Sequence, residues 1–496
     1  MDGSLPERFL VSQRTLGIIA VWIFLLFLST NLPWQLDDYD QAKQAFVSFQ
    51  IVREGDWLFQ RLPLESVAQK PPFVGWVSAV FYQVTRSWDL AWRLPSLLSA
   101  IAIAILLLRA GTSAYGFIGG LISFAAFGLN LLSIRLATLV TTDMALALSI
   151  FLIGLLIWQK IRKGKPWNSR DRWWVFTLLT VSLLIKGPTV YAFLLPGIVA
   201  YAWRAHKDEW PSGWSGWWPW LGALAVFLLW ASAGVVFKPG FYQQVVLREF
   251  LGRFSETVHR PQPVYFYLPH VLHKFAPWSL LIIFIAWLAV RQPRPRIREL
   301  FRRVSPEVFW LICWSLGGVV AMSLIPSKRV DRIFPILPPL CLLLGALVAH
   351  GLATDRTRKL VCIWSAAALL FSLLFSTGYS LWKIVPGYAH HRDALVTFCR
   401  KIRREAVAHP WHYEVVSSGN QNGTEGMLLY LEKLHFVTLN EAVEKWNKNQ
   451  IQELVIPTDQ VEAAMVALPE THVARTVKPK DIHVPGYVLV TRAPAA

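Results

Sequence analysis

LGIIAVWIFLLFLSTNLPWQLDDYDQAK, residues 16–43, joins an apolar stretch long enough to cross a bilayer to a run of three aspartates. No small-residue cleavage site follows the apolar part, residues 16–32, so we interpret it as an uncleaved span and not as a signal peptide. Carboxylates at a membrane surface are costly unless they bind ions or do chemistry. The sequence therefore predicts a membrane protein with a functional loop directly after its first span.

The rest of the chain repeats the apolar pattern. Its 496 residues are 54% hydrophobic and include 25 Trp and 29 Phe, and the apolar residues come in blocks of about 17–25. We therefore predict a polytopic α-helical membrane protein with about eleven spans. The spans are expected near residues 15–33, 94–109, 114–132, 140–158, 173–186, 188–203, 217–236, 275–290, 307–325, 333–350 and 359–382.

The distribution of charge predicts the orientation. The net charge of +18 does not indicate a nucleic-acid partner, because Lys and Arg lie in short loops between spans and form no stripe with stacking aromatics. The basic segments 159–172, 291–303 and 355–359 fall on the side of the N-terminus, which the positive-inside rule places in the cytoplasm. Loops 34–93 and 237–274 are then extracytoplasmic. Residues 42–54 carry apolar positions at helical spacing, which predicts a helix along the membrane surface.

The composition changes near Lys383, which predicts a membrane domain over 1–382 and an extracytoplasmic domain over 383–496. In the second domain, strand-like runs at 413–416, 436–439, 453–456 and 487–491 alternate with helical runs at 393–407, 425–434, 440–449 and 460–468. This alternation is typical of a small soluble α/β domain. The domain has no nucleotide fingerprint, so we expect a structural or acceptor-docking role for it.

The polar residues that could carry chemistry all lie in loops on the predicted outer side. They are Asp37, Asp38, Asp40, Lys70, Arg93, Asp143, Lys186, Glu249, Arg253, His259, His270, Ser327, Lys328 and Arg329. Acids and cations on one membrane face suit a lipid-linked phosphate as leaving group, because cations offset the charge left on the phosphate. A carboxylate can take the proton from an attacking hydroxyl. The histidine spacing matches no common zinc site, so we predict no metal ligands.

Nine fragments in chain order resemble bacterial membrane glycosyltransferases of the GT-C class. The fragments are Asp40-Gln41-x-Lys43-x-Ala45, Gly55-Asp56-Trp57, Lys70-Pro71-Pro72, Ala91-Trp92-Arg93-Leu94-Pro95-Ser96, Thr142-Asp143, Lys186-Gly187-Pro188, Glu249-x-x-x-Arg253-Phe254, His259-x-Pro261 and Ser327-Lys328. Over residues 15–350 the chain is most similar to the group of aminoarabinose lipid A transferases and protein O-mannosyltransferases (glycosyltransferase family 39-like). The resemblance implies a GT-C fold. It also implies transfer of a sugar from a polyprenyl-phosphate donor to an envelope lipid, glycan or protein on the extracytoplasmic face, usually with inversion.

The resemblance also implies roles for individual residues. Asp40 matches the first catalytic carboxylate, since it stands fifteen positions before Gly55, and Asp143 matches the second. Lys70 and Arg253 match positions that hold the carrier phosphate. Further candidates for donor or substrate binding are Glu249, Lys186, Lys328, Arg93 and His259.

The first acidic loop departs from the family at one position. Gln41 follows Asp40 where relatives commonly carry Glu, which removes one carboxylate from the usual pair. The requirement for a divalent cation is therefore open, and so is the choice between Asp38 and Asp40 as the main acid of this loop. No other cofactor is predicted.

Structural explanations compete with each functional one. Asp40 and Asp143 stand where a carboxylate can cap a helix, and Lys70 can extend to the membrane interface without binding phosphate. For the whole chain the alternatives are a transporter or flippase for a polar lipid, and an assembly or sensor protein that works through its α/β domain. A transporter predicts charges near the bilayer midplane and inverted repeats; the sequence has few of the former and no visible repeat.

Overall fold

The computed structural model describes residues 5–36, 39–63, 66–252, 262–290, 304–417, 425–468, 471–477 and 486–492. The chain divides into two compact units. The helical unit comprises the described residues of 1–30, 69–74 and 93–381, and the loop-and-sheet unit those of 31–68, 75–92 and 382–496. Much of the first predicted outer loop thus groups with the C-terminal residues. The predicted domain boundary near residue 382 stays a prediction.

The described residues form helices along most of the chain. In order these are α1 (Leu5–Val11), α2 (Gln13–Ser29), α3 (Tyr39–Glu54), α4 (Phe73–Thr85), α5 (Trp88–Gly128), α6 (Leu131–Leu136), α7 (Asp143–Lys163), α8 (Ser169–Lys186), α9 (Thr189–Asp208), α10 (Trp217–Phe237), a π-helix (Tyr242–Leu251), a 3₁₀ turn (Val264–Phe266), α11 (Tyr267–Lys274), α12 (Trp278–Val290), α13 (Pro306–Leu324), a 3₁₀ segment (Val330–Ile336), α14 (Leu337–Leu352), α15 (Asp355–Ala389), α16 (Ala394–Ala408), α17 (Glu425–Leu431), α18 (Leu439–Asn447) and α19 (Val461–Ala467). The strands are β1 (Tyr413–Val415), β2 (Glu453–Pro457), β3 (Thr471–Val477) and β4 (Tyr487–Arg492).

Six helices of the described part are long and apolar enough to cross a membrane. They are Trp88–Gly128, Asp143–Lys163, Trp217–Phe237, Pro306–Leu324, Val330–Leu352 and Asp355–Ala389. The pair Val264–Lys274 and Trp278–Leu288, bent by 94°, makes a seventh if it counts as one span. The prediction of a polytopic α-helical membrane protein is therefore confirmed.

The count of eleven spans is higher, although a helix covers each of the eleven predicted segments. Helix α5 contains two of them and is broken at Gly116, whose φ is 76°. Helix α2 has only 17 residues, and α8 carries charged residues in its first turn. The basic last turn of α9 shortens its apolar part. The number of spans stays a prediction.

Small residues let α9 and α13 approach closely in the core of the helical unit. A Cβ atom on Gly317 would lie 2.6 Å from the backbone nitrogen of Gly197, so neither helix tolerates a side chain there. Such contacts between small residues are typical of helix packing in membranes. Beside this contact Trp310 is fully buried and donates from Nε1 to the carbonyl oxygen of Gly154 at 3.1 Å, which ties α13 to α7.

The loop-and-sheet unit contains the α/β fold predicted for the C-terminal residues. The sheet order is β1-β2-β4-β3; β1 and β2 are parallel, and both pairs that include β4 are antiparallel. The predicted strand at 436–439 is wrong, because that segment makes only one bridge, from Val437 to Val416. Strand β3 was missed because it lies at the edge of the sheet, where most of its side chains are not buried and the sequence shows no apolar alternation.

Helix α3 confirms the predicted helix in the first outer loop but not its exposed face. Its polar residues Gln41, Gln44 and Ser48 are buried together with the apolar ones. Ser48 accepts a hydrogen bond from the indole nitrogen of Trp92 at 3.0 Å. The protein around it therefore covers more than the apolar face of this helix, and its position along the membrane surface stays a prediction.

Candidate functional site

The centre of the candidate site is an ion pair between two helix ends. Asp143 is the first residue of α7 and is only 8% exposed, and Lys186 is the last residue of α8. The Nζ atom of Lys186 donates to Oδ1 of Asp143. Each charge also complements its own helix dipole, since the acid lies at an N-terminus and the cation at a C-terminus. The predicted capping role and the predicted functional role of Asp143 are therefore compatible.

The position of Lys186 depends on the residue after it. Gly187 ends α8 with φ at 67°, in the left-handed region that favours glycine. A Cβ atom at this position would lie 2.5 Å from the ring of Phe250. The predicted tight turn between residues 186 and 188 is confirmed, because α9 begins at Thr189. Lys186 thus stands at a turn that only glycine fits.

Further cations surround Asp143. Lys70 and Arg329 act electrostatically on its carboxylate in addition to Lys186, and Arg332 interacts with it as well. Asp331, paired with Arg329 at 3.4 Å, contributes a second acid. In this part of the described chain four cations face two carboxylates, which leaves a positive field suited to an anionic ligand.

The segment that carries Lys328 is held by the chain before α11. Lys328 is 6% exposed and its Nζ donates to the carbonyl oxygen of Gln262 at 2.8 Å. Burial lowers the pKa of Lys328 below its ordinary value. Tyr267 donates its hydroxyl to the carbonyl oxygen of Arg329 at 3.2 Å, and Arg332 donates to the carbonyl oxygen of Ser327 at 2.7 Å. The basic segment therefore has a fixed backbone.

The remaining predicted residues of the helical unit lie on separate elements. Arg93 is 5% exposed, on α5. Ser96, one turn later, donates its hydroxyl to the carbonyl oxygen of Leu139 at 2.8 Å, in the segment that leads to Asp143. Glu249 lies on the π-helix and is partly buried; π-helical turns are frequent at functional sites.

Asp40 belongs to the loop-and-sheet unit, where it lies in the first turn of α3 and is partly buried. Lys43 follows one turn later on the same helix. The other two aspartates of the acidic run, Asp37 and Asp38, lie outside the described residues, as do Arg253 and His259. The choice between Asp38 and Asp40 therefore stays open.

Within the described ranges, no group of three His, Cys, Asp or Glu side chains lies close enough to hold a metal ion. The neighbours of Asp143 named above are mainly cations, which compete with a metal ion for the carboxylate. The structure leaves the requirement for a divalent cation as open as the sequence does.

No known family profile matches the chain. Its relatives with curated names include the undecaprenyl phosphate-α-4-amino-4-deoxy-L-arabinose arabinosyl transferases of Sodalis glossinidius and Pectobacterium atrosepticum. They are 25% and 24% identical over 67% and 74% of this chain. The chain spans 58% and 64% of the length of these two relatives.

Among solved structures the chain is similar to ArnT from Cupriavidus metallidurans bound to undecaprenyl phosphate. The TM-score is 0.66 at 17% identity, covering 96% of this chain and 97% of that one. The chain has the GT-C fold. An oligosaccharyltransferase from Archaeoglobus fulgidus is a more distant neighbour, with a TM-score of 0.51 at 11% identity over 95% of this chain and 72% of that one. The resemblance predicted from the nine fragments is confirmed.

Within this GT-C fold the sequence reasoning missed Arg332 as a candidate. Its side chain donates to both the carbonyl and the hydroxyl oxygen of Ser327 and interacts with Asp143. A signal for it was present, because Lys328, Arg329 and Arg332 form a basic run between two apolar helices. Basic residues beside a membrane span are also common as interfacial anchors, so the run alone does not point to a site.

Proposed function

We propose that this chain is an inner-membrane glycosyltransferase. It transfers a sugar from a polyprenyl-phosphate donor to a lipid A-like acceptor on the extracytoplasmic face. The observation that carries the proposal is the Asp143–Lys186 pair within a cluster of cations, in a fold shared with a protein solved with undecaprenyl phosphate bound. The names of the relatives support a pentose such as aminoarabinose as the sugar. The N-terminus is cytoplasmic and the C-terminal domain extracytoplasmic.

The reaction is a single displacement at the anomeric carbon, with inversion. An oxygen of the acceptor forms a bond to that carbon while the bond from the carbon to the phosphate oxygen breaks, and the electrons of the broken bond stay on the phosphate. Lys70 and Arg253 bind this phosphate, and Lys186, Lys328 and Arg93 add positive charge that stabilises it in the transition state. Asp143, held by Lys186, keeps the cations oriented and contacts the sugar together with Glu249 and His259.

The role of Asp40 depends on the nucleophile. If the acceptor is a hydroxyl of a lipid, glycan or protein, Asp40 takes its proton as a general base. If the acceptor is a phosphate group, its oxygen is already ionised, so no base is needed and Asp40 orients the donor. The cationic surroundings of Asp143 favour the second case, because an anionic acceptor binds well in a positive field.

The experiment is a transfer assay in detergent or nanodiscs. Purified chain is incubated with radiolabelled polyprenyl-phosphate sugars, one pentose and one hexose, and with a lipid A-type acceptor or its dephosphorylated form. We expect label on the phosphorylated acceptor. Asp40→Asn and Asp143→Asn should each lose about a hundredfold or more, because the first misplaces the donor and the second removes the acid that orients the cations. Equal labelling of the dephosphorylated lipid would contradict the phosphate acceptor, and no labelling with any donor would contradict the enzyme.

A polar-lipid transporter is the competing function. It requires charges along a path through the membrane, whereas Asp143 and Lys186 lie at helix ends. Proteoliposomes that move the labelled lipid between leaflets without sugar transfer would favour the transporter.

A further inference from the structure

Helix α17 of the C-terminal segment packs against α3, within the loop-and-sheet unit. One polar contact between the two segments lies just before α3 begins. The backbone N–H of Leu36 donates to the hydroxyl oxygen of Tyr430 at 2.7 Å. Leu36 is 5% exposed and Tyr430 7% exposed, so the bond is shielded from water. Asp40 follows only four residues after Leu36.

The residue before Leu36 is held by a second helix. The side-chain oxygen of Gln35 accepts from the backbone N–H groups of Leu395 and Val396, at 3.2 and 3.4 Å. These amides lie in the first turn of α16, where backbone donors have no partner within the helix. Two successive residues at the entry to the acidic loop are therefore bound by groups from the C-terminal segment.

The other end of α3 is held by the residues that follow α17. Arg53 pairs with Glu432 at 2.7 Å, and His435 contacts Glu54 at 3.2 Å. Arg403 of α16 also pairs with Glu432, at 2.6 Å. These pairs are partly exposed, so each adds little by itself, but together they bind the C-terminal end of α3.

Helix α17 begins with a buried carboxyl group. Glu425, the first residue of α17, is 5% exposed, and its Oε2 atom has no hydrogen-bond partner in the described structure. The charge of Lys43, on α3, acts on this carboxyl group. The contact between the two helices is thus polar as well as apolar along its length.

We propose that Tyr430 is a positioning residue for Asp40: by binding the N–H of Leu36, it fixes where α3 begins and hence where the carboxylate stands. The inference rests on the proposed function and gives the C-terminal domain a part in the reaction. From the sequence we expected a structural or acceptor-docking role for this domain, and neither role involves a contact that positions Asp40. The hydroxyl of Tyr430 binds a backbone N–H group, so we assign it a positioning role and not a catalytic one.

The test compares two substitutions that each remove one hydroxyl. Tyr430→Phe removes the acceptor of the Leu36 N–H. Tyr413→Phe removes a hydroxyl of β1 that donates to the carbonyl oxygen of Leu431, the last residue of α17, at 2.7 Å. We expect kcat to fall about tenfold in Tyr430→Phe, with the KM for the donor within about twofold of the starting chain. Tyr413→Phe should keep both constants within about twofold.

A double-mutant cycle separates positioning from general stability. In the Asp40→Asn background, Tyr430→Phe should lower kcat by less than about twofold further, since the group that it positions is gone. A full tenfold loss in that background, an equal loss in Tyr413→Phe, or a rise in KM at constant kcat would each overturn the inference.

Hydrogen exchange keeps the test independent of activity. Tyr430→Phe should speed amide exchange in peptides that cover residues 36–46, and Tyr413→Phe should not. If the chain transfers no sugar but only Tyr430→Phe speeds this exchange, the proposed function is contradicted while the role of Tyr430 at the start of α3 is supported. Unchanged exchange in these peptides would overturn the inference whatever the activity.

Discussion

Asp143 and Asp40 are both first-turn acids of a helix, yet different forces fix them. Asp143 belongs to a helix of the membrane core and is paired with a lysine at the end of the neighbouring helix. Asp40 belongs to a helix whose ends are bound by residues almost four hundred positions later in the chain. The first acid is held by an ion pair between neighbouring helices, whereas the helix of the second acid is bound through a hydrogen bond just before its start and ion pairs at its end. Two acids at the same position of a helix can therefore respond differently to substitution of the residues around them.

The largest expected effect comes from removing the charge at the first acid. Asp143→Asn should lower kcat/KM for sugar transfer about a hundredfold or more, because the cations lose the group that orients them. Asp171→Asn is the matched control, since Asp171 also pairs with a lysine of α7, Lys160, at the other end of that helix. An equal loss in both variants would show that the ion pairs only stabilise the bundle.

The next prediction removes the lysine of the same ion pair. Lys186→Met should lower the free energy of unfolding by about 3 kcal/mol, because it leaves a buried carboxylate without its partner. The double variant with Asp143→Asn should recover part of that loss. Thermal unfolding in detergent measures both, and additive losses would contradict a direct pair.

A buried carboxyl group in the loop-and-sheet unit predicts how the stability of the protein depends on pH. Glu453 on β2 is 1% exposed and neither of its oxygens has a hydrogen-bond partner in the described structure. Burial, together with the nearby charge of Glu405, raises the pKa of Glu453 from 4.5 to about 7. The unfolded chain therefore loses this proton at a lower pH than the folded chain. The free energy of unfolding should fall by roughly 2.5 kcal/mol as the pH rises from 4.5 to 7.

Glu453→Gln should remove that fall. The variant should unfold at a higher temperature than the unchanged chain at pH 8, and the difference should vanish near pH 4.5. Glu414→Gln is the control, because Glu414 already has two partners, Lys433 and Lys445. A lower unfolding temperature of Glu453→Gln than of the unchanged chain at pH 8 would contradict this prediction, because it would mean that the ionised carboxylate is stabilised in the folded chain.

The smallest expected effect concerns the turn after Lys186. Gly187→Ala should lower the free energy of unfolding by about 2 kcal/mol, from the left-handed backbone and the contact with Phe250. Gly164→Ala has a similar φ of 61° but open space around it, so it should cost about 1 kcal/mol. If both variants lose the same free energy of unfolding, the ring of Phe250 moves aside at little cost.

Local patterns predicted much of the fold and part of the site. The apolar blocks located the helices, since a long apolar stretch in a bilayer has no alternative to a helix. The turn at Gly187 and the helix that contains Asp40 were also predicted from nearby residues. The cluster around Asp143 was predicted only as a set of loop residues, because periodicity does not say which loops meet. Arg332 and the edge strand β3 were missed. The basic run around Arg332 is also typical of interfacial anchors, and β3 has no apolar alternation.

By itself the sequence determined a helical membrane protein, its α/β tail and the nine fragments that resemble GT-C glycosyltransferases. These features depend on hydropathy, period and short motifs, which are properties of neighbouring residues. Only the tertiary structure decided that Lys186 pairs with Asp143 and that Tyr430 binds the chain just before α3. Both are contacts between residues far apart in the chain, and they arise from how whole helices pack.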